Sequence, residues 1–148
     1  MNNNHIFEFS KNHTDGDASL TDLLGGKGAN LAEMSKMGIQ VPPGFTITTE
    51  VCNYFMEHEK LPDSLEKEIK VAIEKLEQYS DKQFGGDGTP LLLSVRSGGK
   101  VSMPGMMDSI LNIGLNDENV SKLAEAFDDE RFALDSYRRL IQMYSNVV

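Results

Sequence analysis

A glycine-rich segment that carries basic side chains lies at residues 91–108, LLLSVRSGGKVSMPGMMD. A short apolar run ends at Arg96, and glycines with one lysine follow it. Glycine leaves backbone N–H groups accessible to a ligand, and a guanidinium presents a planar fork of donors that fits two phosphate oxygens at once. The segment therefore predicts a site for a phosphate-bearing anion, with Arg96 as its first candidate ligand.

The residues alone leave two interpretations of Arg96 open. The apolar run 91–95 is typical of a buried strand, so the guanidinium must either reach a ligand or pair with an acidic side chain. Asp108 could orient Arg96, approach a metal ion or cap a turn. Lys100 is predicted to be a solvated lysine in a loop.

Methionines cluster near the end of the same segment. A flexible thioether side chain can cover an adenine ring or fill a gap in a core. Met103 and Gly105 suit apolar or backbone contact with a nucleotide, whereas Met106 and Met107 are predicted to pack into a core.

A second glycine-rich turn occurs at residues 23–29, LLGGKGA, and leads into a predicted helix that continues through Met37. Lys27 lies at the expected start of this helix, where N–H groups and the helix dipole favour an anion. The motif is not a Walker A loop, because GxxxxGK[ST] is absent. Two interpretations of Lys27 are equally good. It either binds the phosphate of a nucleotide or is a surface lysine beside a structural turn.

The histidines and the cysteine carry no recognisable catalytic or metal-binding pattern. His5, His13 and His58 are scattered among polar residues, which predicts surface positions. Cys52 is the single cysteine, so an intramolecular disulfide and a cysteine-based zinc cluster are excluded. With no basic neighbour close in sequence to activate it, Cys52 is predicted to be a small packing residue.

Composition excludes broad attraction to polyanions. The chain has 148 residues, 39% hydrophobic and 25% charged, with a formal net charge of −9. These values are typical of an ordinary globular domain, and the negative mean field opposes binding to nucleic acid or an anionic membrane. The first residues lack a signal-peptide core, and no apolar run is long enough to span a bilayer. We therefore expect a cytoplasmic protein whose phosphate site is local.

Hydrophobic periodicity and turn residues predict a mixture of strands and helices. The predicted strands are 6–9, a β-rich stretch within 41–49 and 91–95, with a further element at 106–113. The first predicted helix continues through Met37, with Gly38 as the stop, and Thr48 or Thr49 could cap a short second helix through about His58. Further helices are predicted over 64–79 (with Asp63 as N-cap), 120–127 and 133–144. The last helix has no terminal glycine or proline before Val148, which indicates a truncated domain.

Four blocks resemble the start of the pyruvate, phosphate dikinase family. They are GGKGANLAEM at 25–34, VPPGFTITTEVC at 41–52, LLLSVRSGGKVSMPGMMDSILNIGLND at 91–117 and RFALDSYRRLIQMYSNVV at 131–148. The related phosphoenolpyruvate synthases share the opening and the VPPGF-like turn, but they typically continue from VRS into an SSATAED-like stretch. Here Ser97 leads into GGKVSMPGMMD, which favours the dikinases.

The resemblance implies an α+β fold with α/β-type layers, the N-terminal portion of an ATP-grasp nucleotide-binding domain over residues 1–148. In the complete enzyme, ATP, phosphate and pyruvate would interconvert with AMP, diphosphate and phosphoenolpyruvate through a phosphohistidine, using Mg²⁺ and K⁺ or NH₄⁺. The complete enzyme is expected to be a homodimer. The carrier-histidine and pyruvate-binding domains are absent from this segment, so we expect the chain alone to be inactive.

The resemblance also implies roles for individual residues. Lys27 and Arg96 would contact ATP phosphates, and Arg96 would stabilise charge that develops in the transition state. The 99–105 loop would close over the nucleotide, with Gly99, Met103 and Gly105 in contact with ATP. No metal ligand is expected in this segment, and none of its histidines matches the phosphate carrier.

Two other functions remain open at this point. The chain could be a non-catalytic nucleotide-binding or interaction module, or the remnant of a decayed gene.

Overall fold

The structure, a computed structural model, describes residues 4–98 and 109–147. Helices make up most of the regular structure of these residues. The elements in chain order are β1 (Ile6–Phe9), a short 3₁₀ turn (Ala18–Leu20), α1 (Thr21–Lys36), β2 (Gly44–Ile47), α2 (Thr49–His58), α3 (Leu65–Ser80), β3 (Leu93–Arg96), β4 (Ser109–Ile113), α4 (Val120–Phe127) and α5 (Glu130–Val147). The predicted mixture of helices and strands is therefore confirmed. The described strands pair as two small antiparallel sheets.

The described residues divide into two units, and the division falls within α3. The first unit comprises 4–76 with Gly98, and the second comprises 77–97 with 109–147. In neither unit does a described helix combine the length and the apolar composition needed to cross a membrane.

The first unit is built on the antiparallel pair β1 and β2, in which Ile6 lies opposite Ile47. Helices α2 and α3 cover this pair with apolar side chains spaced along one face, as helical periodicity predicts. The buried cluster and the half-buried side chains packed against it are Ile6, Val51, Leu65, Ala72, Phe45 and Ile69. Removal of these groups from water supplies the main stabilisation of the unit.

The end of α1 follows the sequence prediction closely. Gly38 has a left-handed backbone, with φ of 78°, and its N–H donates to the Ser35 carbonyl at 3.0 Å. The N–H of Ile39 donates to the Met34 carbonyl, also at 3.0 Å. This pair of bonds is a Schellman motif, which a glycine at this position makes possible without steric cost.

The second unit packs α4 and α5 near the β3–β4 pair. Its buried cluster and the side chains packed on it are Leu115, Leu123, Ala133, Leu92, Val120, Ala124, Tyr137 and Leu140. The register shifts by one residue between Leu93 and Val95, and Asn112 in β4 has φ of 62°. Asparagine tolerates this left-handed conformation, so it accommodates the extra residue of the bulge.

A hydrogen-bond network at the start of α4 satisfies a buried amide. Asn119 is 1% exposed, and its side-chain oxygen accepts from the Asn116 N–H at 2.9 Å. The Asn116 side chain accepts from the Asn119 N–H at 2.8 Å, and the Asn119 amide group donates to the Gly114 carbonyl at 2.8 Å. Burial of these polar groups is tolerated because they bond to one another and to the backbone.

Helix α3 begins at Leu65, one residue later than predicted, and the Glu68 side chain in its first turn holds strand β1. The Glu68 carboxylate accepts from the His5 N–H at 3.1 Å and lies 2.9 Å from His5 Nδ1. The Ser64 hydroxyl donates to the same carboxylate at 2.8 Å. His5 is therefore a half-buried structural partner of Glu68, and its predicted surface position is wrong.

The Glu68 contacts predict a pH-dependent contribution to stability. Partial burial is the largest single influence and raises the pKa of Glu68, but the hydrogen bonds from His5 and Ser64 together lower it below the ordinary value of 4.5. Folding thus favours the ionised form, so this stabilisation is complete above the ordinary pKa of glutamate and is lost as pH falls through the lowered pKa. The difference in unfolding free energy between the wild-type chain and Glu68→Gln should shrink between about pH 6 and about pH 3.

Denaturant unfolding at several pH values measures this difference. Glu66→Gln is the matched control, because Glu66 lies on the same helix and pairs with Lys70 at an exposed position. Exposed pairs contribute little, so this control should cost less at about pH 6 than Glu68→Gln does. Equal losses in the two variants at every pH would contradict the assignment.

Candidate functional site

The predicted glycine turn is present, but it lies inside α1 rather than before it. Gly25 has φ of 68° and ψ of 165°, which are not helical values, so α1 consists of two helical parts joined by a kink. Glycine adopts this conformation without the steric penalty that a Cβ would bring. The second helical part therefore starts directly after Gly25, and Lys27 lies in its first turn.

Lys27 is exposed, whereas Gly25 and Gly28 on either side of it are buried. The first turn of a helix presents backbone N–H groups that lack intrahelical acceptors, and the helix dipole adds positive potential there. These donors and this potential are what an anion at the start of the second helical part would meet. The local geometry thus agrees with the position predicted for Lys27 relative to a helix start.

Gly28 packs directly on strand β2. A Cβ at Gly28 would lie 2.7 Å from Thr46 Cγ2 and 2.8 Å from Thr46 Oγ1. Rotation of the threonine side chain does not relieve this clash readily, because both γ atoms point at the glycine. Any side chain at position 28 therefore pushes the turn away from β2.

The residues that join β2 to α2 also contact α1 before the kink. The Thr49 hydroxyl donates to the Asp22 carbonyl at 2.7 Å. Thr48, one of the two predicted cap candidates, is the N-cap residue of α2 and is 2% exposed. Within the described residues its hydroxyl has no hydrogen-bond partner. Sequence reasoning identified Thr48 and Thr49 as capping candidates, but it missed the contact with Asp22 because that contact joins residues 27 positions apart.

Arg96 occupies the last position of β3, opposite Ser109. Its side chain is exposed, and Nε donates to the Ser94 hydroxyl at 3.2 Å. The expectation of a buried strand is wrong at this end, since Val95 is also 53% exposed. In the described residues β3 pairs with β4 alone, so no further strand covers its other edge.

Several residues singled out in the sequence lie outside the described residues. They are Gly99, Lys100, Met103, Gly105, Met106, Met107 and Asp108. Lys27 belongs to the first unit and Arg96 to the second.

Cys52 and the remaining histidines belong to no cluster of metal-ligating side chains in the part of the chain that the structure describes. Cys52 is exposed on α2, so its predicted packing role is wrong. His13 Nε2 lies 3.0 Å from Asp15 Oδ1, and the His58 ring stacks on Tyr54 with ring centroids 4.2 Å apart. Across residues 4–98 and 109–147, no group of three or more His, Cys, Asp or Glu side chains could hold a metal ion.

An open groove of about 370 Å³ lies beside β1 and α3 in the first unit. Two pairs of oppositely charged side chains lie in its lining, Glu8 with Lys75 and Asp15 with His13. Such mixed charge is a weaker attraction for a polyphosphate than the helix start at Lys27.

Comparison with known proteins places the chain in a family. The model of the family described as Pyruvate phosphate dikinase, AMP/ATP-binding domain, matches residues 21–64 and 57–141. These matches cover both the glycine turn and the strand that carries Arg96. The resemblance seen in the sequence blocks is confirmed, and the chain belongs to the pyruvate, phosphate dikinase family.

Individual relatives agree with this assignment. The chain is 55% identical to pyruvate, phosphate dikinase of Rickettsia bellii (strain RML369-C) over 144 residues, which are 97% of this chain and 16% of the relative. It is 53% identical to the enzyme of Rickettsia prowazekii (strain Madrid E) over 148 residues, 99% of this chain and 17% of the relative. It is 52% identical to pyruvate, phosphate dikinase 1, chloroplastic, of Oryza sativa subsp. japonica, over 97% of this chain and 15% of the relative. The chain thus spans about a sixth of the length of these curated relatives.

The contact between Gly28 and Thr46 predicts that Gly28→Ala destabilises the first unit. Alanine improves helix propensity by about 1 kcal/mol, but overpacking costs about 1–3 kcal/mol, so a net loss of about 1 kcal/mol is expected. Chemical denaturation of the chain measures the loss.

Gly98→Ala serves as the control, because a Cβ at Gly98 has no neighbour within 4 Å among the residues that the structure describes. The double variant Gly28→Ala, Thr46→Ala should recover much of the loss relative to Thr46→Ala alone, since both clashing γ atoms are then gone. Strictly additive effects of the two substitutions on the free energy of unfolding would show that the Gly28–Thr46 contact does not cause the loss of stability.

Proposed function

We propose that residues 1–148 form the N-terminal part of the ATP-grasp nucleotide-binding domain of a pyruvate, phosphate dikinase, and that this part binds the phosphates of ATP. The observation that carries the proposal is the family match across 21–141, which includes the buried glycine turn with exposed Lys27. The family's description as an AMP/ATP-binding domain supports a nucleotide as the ligand.

Lys27 is proposed to contact the ATP phosphates together with the backbone N–H groups that follow Gly25. The chain has a net charge of −9, so a polyphosphate is repelled at long range and must be held by local donors. Two kinds of donor would hold the phosphates, namely amides fixed by the backbone and a flexible ammonium group. The amides orient the phosphate, and the ammonium supplies a full positive charge.

Arg96 is proposed to contact ATP phosphates through its exposed guanidinium. Its Nε already donates to Ser94, an arrangement that holds the plane of the guanidinium relative to β3. The two terminal nitrogens can then donate side by side to phosphate oxygens. A fixed cation of this kind stabilises the charge that develops on the transferred group.

Gly99, Met103 and Gly105 are proposed to contact ATP from the 99–105 loop. This part of the proposal rests on the family resemblance of the block SVRSGGKVSMPGMMD. Glycine at 99 and 105 would allow close approach of the backbone, and Met103 would give apolar contact.

In the complete enzyme, we propose that ATP, phosphate and pyruvate interconvert with AMP, diphosphate and phosphoenolpyruvate through a phosphohistidine on another domain. The complete enzyme is proposed to be a cytoplasmic homodimer. The chain of 148 residues is about a sixth of the relatives' length, so we propose that it supplies part of the nucleotide site and no turnover by itself.

Mg²⁺ and a monovalent cation, K⁺ or NH₄⁺, are proposed cofactors of the complete enzyme. The carboxylates of the described residues do not form a cluster that fits a metal ion. We therefore propose that Mg²⁺ arrives as the ATP complex and assign no ligand to it within this segment.

Calorimetric titration of the chain with ATP tests this proposal. We expect weak binding, and Lys27→Ala and Arg96→Ala should each weaken it about tenfold, because a charge-assisted hydrogen bond contributes about 1.5–3 kcal/mol. Matched controls are Lys60→Ala and Arg131→Ala, which remove the same charges at other exposed positions. Binding that the two site variants leave unchanged would contradict the site, and equal losses in the controls would indicate general electrostatics instead.

A further inference from the structure

Residues 46–49, which comprise the end of β2 and the start of α2, contact α1 on both sides of the Gly25 kink. Before the kink, the Thr49 hydroxyl donates to the Asp22 carbonyl at 2.7 Å. After the kink, the Thr46 side chain packs on Gly28 so closely that no Cβ fits. The two contacts bracket Lys27 and its neighbouring amides.

The hydrogen bond from the Thr49 hydroxyl to the Asp22 carbonyl compensates for the break in the helical hydrogen-bond pattern at the kink. In a regular helix the carbonyl of residue 22 accepts from the N–H four residues on, at Gly26. The extended ψ of 165° at Gly25 rotates the peptide that carries the Gly26 N–H out of the helical direction. The Thr49 hydroxyl donates to the Asp22 carbonyl, and the last carbonyls before a break in a helix need such donors from outside it.

The residues on either side of Thr49 are fixed by strand β1 and by the apolar core of the first unit. The adjacent Thr48 N–H donates to the His5 carbonyl at 3.0 Å, which ties the start of α2 to β1. Two residues further on, Val51 is 5% exposed within the apolar cluster of the first unit. The position of the Thr49 hydroxyl is therefore set by the β1–β2 sheet and its core, not by α1.

We infer that Thr49 is a positioning residue for the phosphate-binding turn: its hydroxyl fixes the direction in which the amides of Gly26, Lys27 and Gly28 point. The inference rests on the proposed function for its ligand, ATP. It adds to that function a residue that does not touch the nucleotide. A hydroxyl on the neighbouring helix, held by the core, is what keeps these donors aimed before a ligand arrives.

The test compares Thr49→Val, which removes the hydroxyl at nearly constant shape, with Thr49→Ser, which keeps it. Thr89→Val is the matched control, since Thr89 is exposed in the second unit. Hydrogen exchange of the Asn30, Leu31 and Ala32 amides is followed by NMR, because in a regular helix these amides bond to the carbonyls of Gly26, Lys27 and Gly28. Their exchange should be about threefold or more faster in Thr49→Val, because the turn then opens locally. Exchange in Thr49→Ser and in Thr89→Val should stay at the wild-type rate.

ATP titration of the same variants provides the functional readout. Thr49→Val should weaken ATP binding about fivefold, the amount that corresponds to one hydrogen bond, and Thr49→Ser should restore it. Thermal melts check that each variant folds, and Thr49→Ala replaces Thr49→Val if the valine variant does not fold. Wild-type amide exchange and wild-type affinity in the variant that lacks the hydroxyl would overturn the inference.

The outcomes separate this inference from the proposed function. If Lys27→Ala weakens ATP binding and Thr49→Val changes neither affinity nor exchange, the positioning role fails and the phosphate site stands. If Lys27→Ala and Arg96→Ala leave ATP binding unchanged, the proposed site fails. The amide exchange rates then decide by themselves whether Thr49 positions the turn.

Discussion

The left-handed backbone at Gly25, with φ of 68° and ψ of 165°, is the constraint around which the first unit is arranged. It divides α1 into two parts, and a divided helix leaves backbone groups on both sides that require outside support. The support comes from the end of β2 and the start of α2, through the Thr49 hydroxyl on the Asp22 carbonyl and the Thr46 side chain against Gly28. That segment is in turn held by the β1–β2 pairing and by the buried cluster beneath it.

The same constraint concentrates positive potential within a strongly acidic chain. With a net charge of −9, the mean field repels anions, yet screening limits that field to about 8 Å at physiological salt. Within that distance the local donors determine what binds. Lys27 and the amides beside it form one such local feature in the first unit, and the exposed Arg96 guanidinium is another in the second.

Structural features that depend only on residues close together in the chain were predicted well from the sequence. The apolar stripe of α3 and the glycine that ends α1 at position 38 follow from 3.6-residue periodicity and from the left-handed freedom of glycine. Features that depend on distant residues were not predicted. The β4 bulge at Asn112, the exposure of Cys52 and the exposure of Arg96 each depend on which other segments cover a position, and local pattern carries no information about that.

For the candidate site, the sequence by itself determined the identity of the phosphate-binding candidates and the family, because glycine turns and the blocks that contain them are contiguous in the chain. Tertiary structure alone decided how the first turn is held. The Asp22–Thr49 bond and the Gly28–Thr46 contact join residues 27 and 18 positions apart, and they exist because β2 returns antiparallel to β1 and brings the start of α2 against α1. A hydroxyl at position 49 is visible in the sequence, but its acceptor is chosen only when the chain folds.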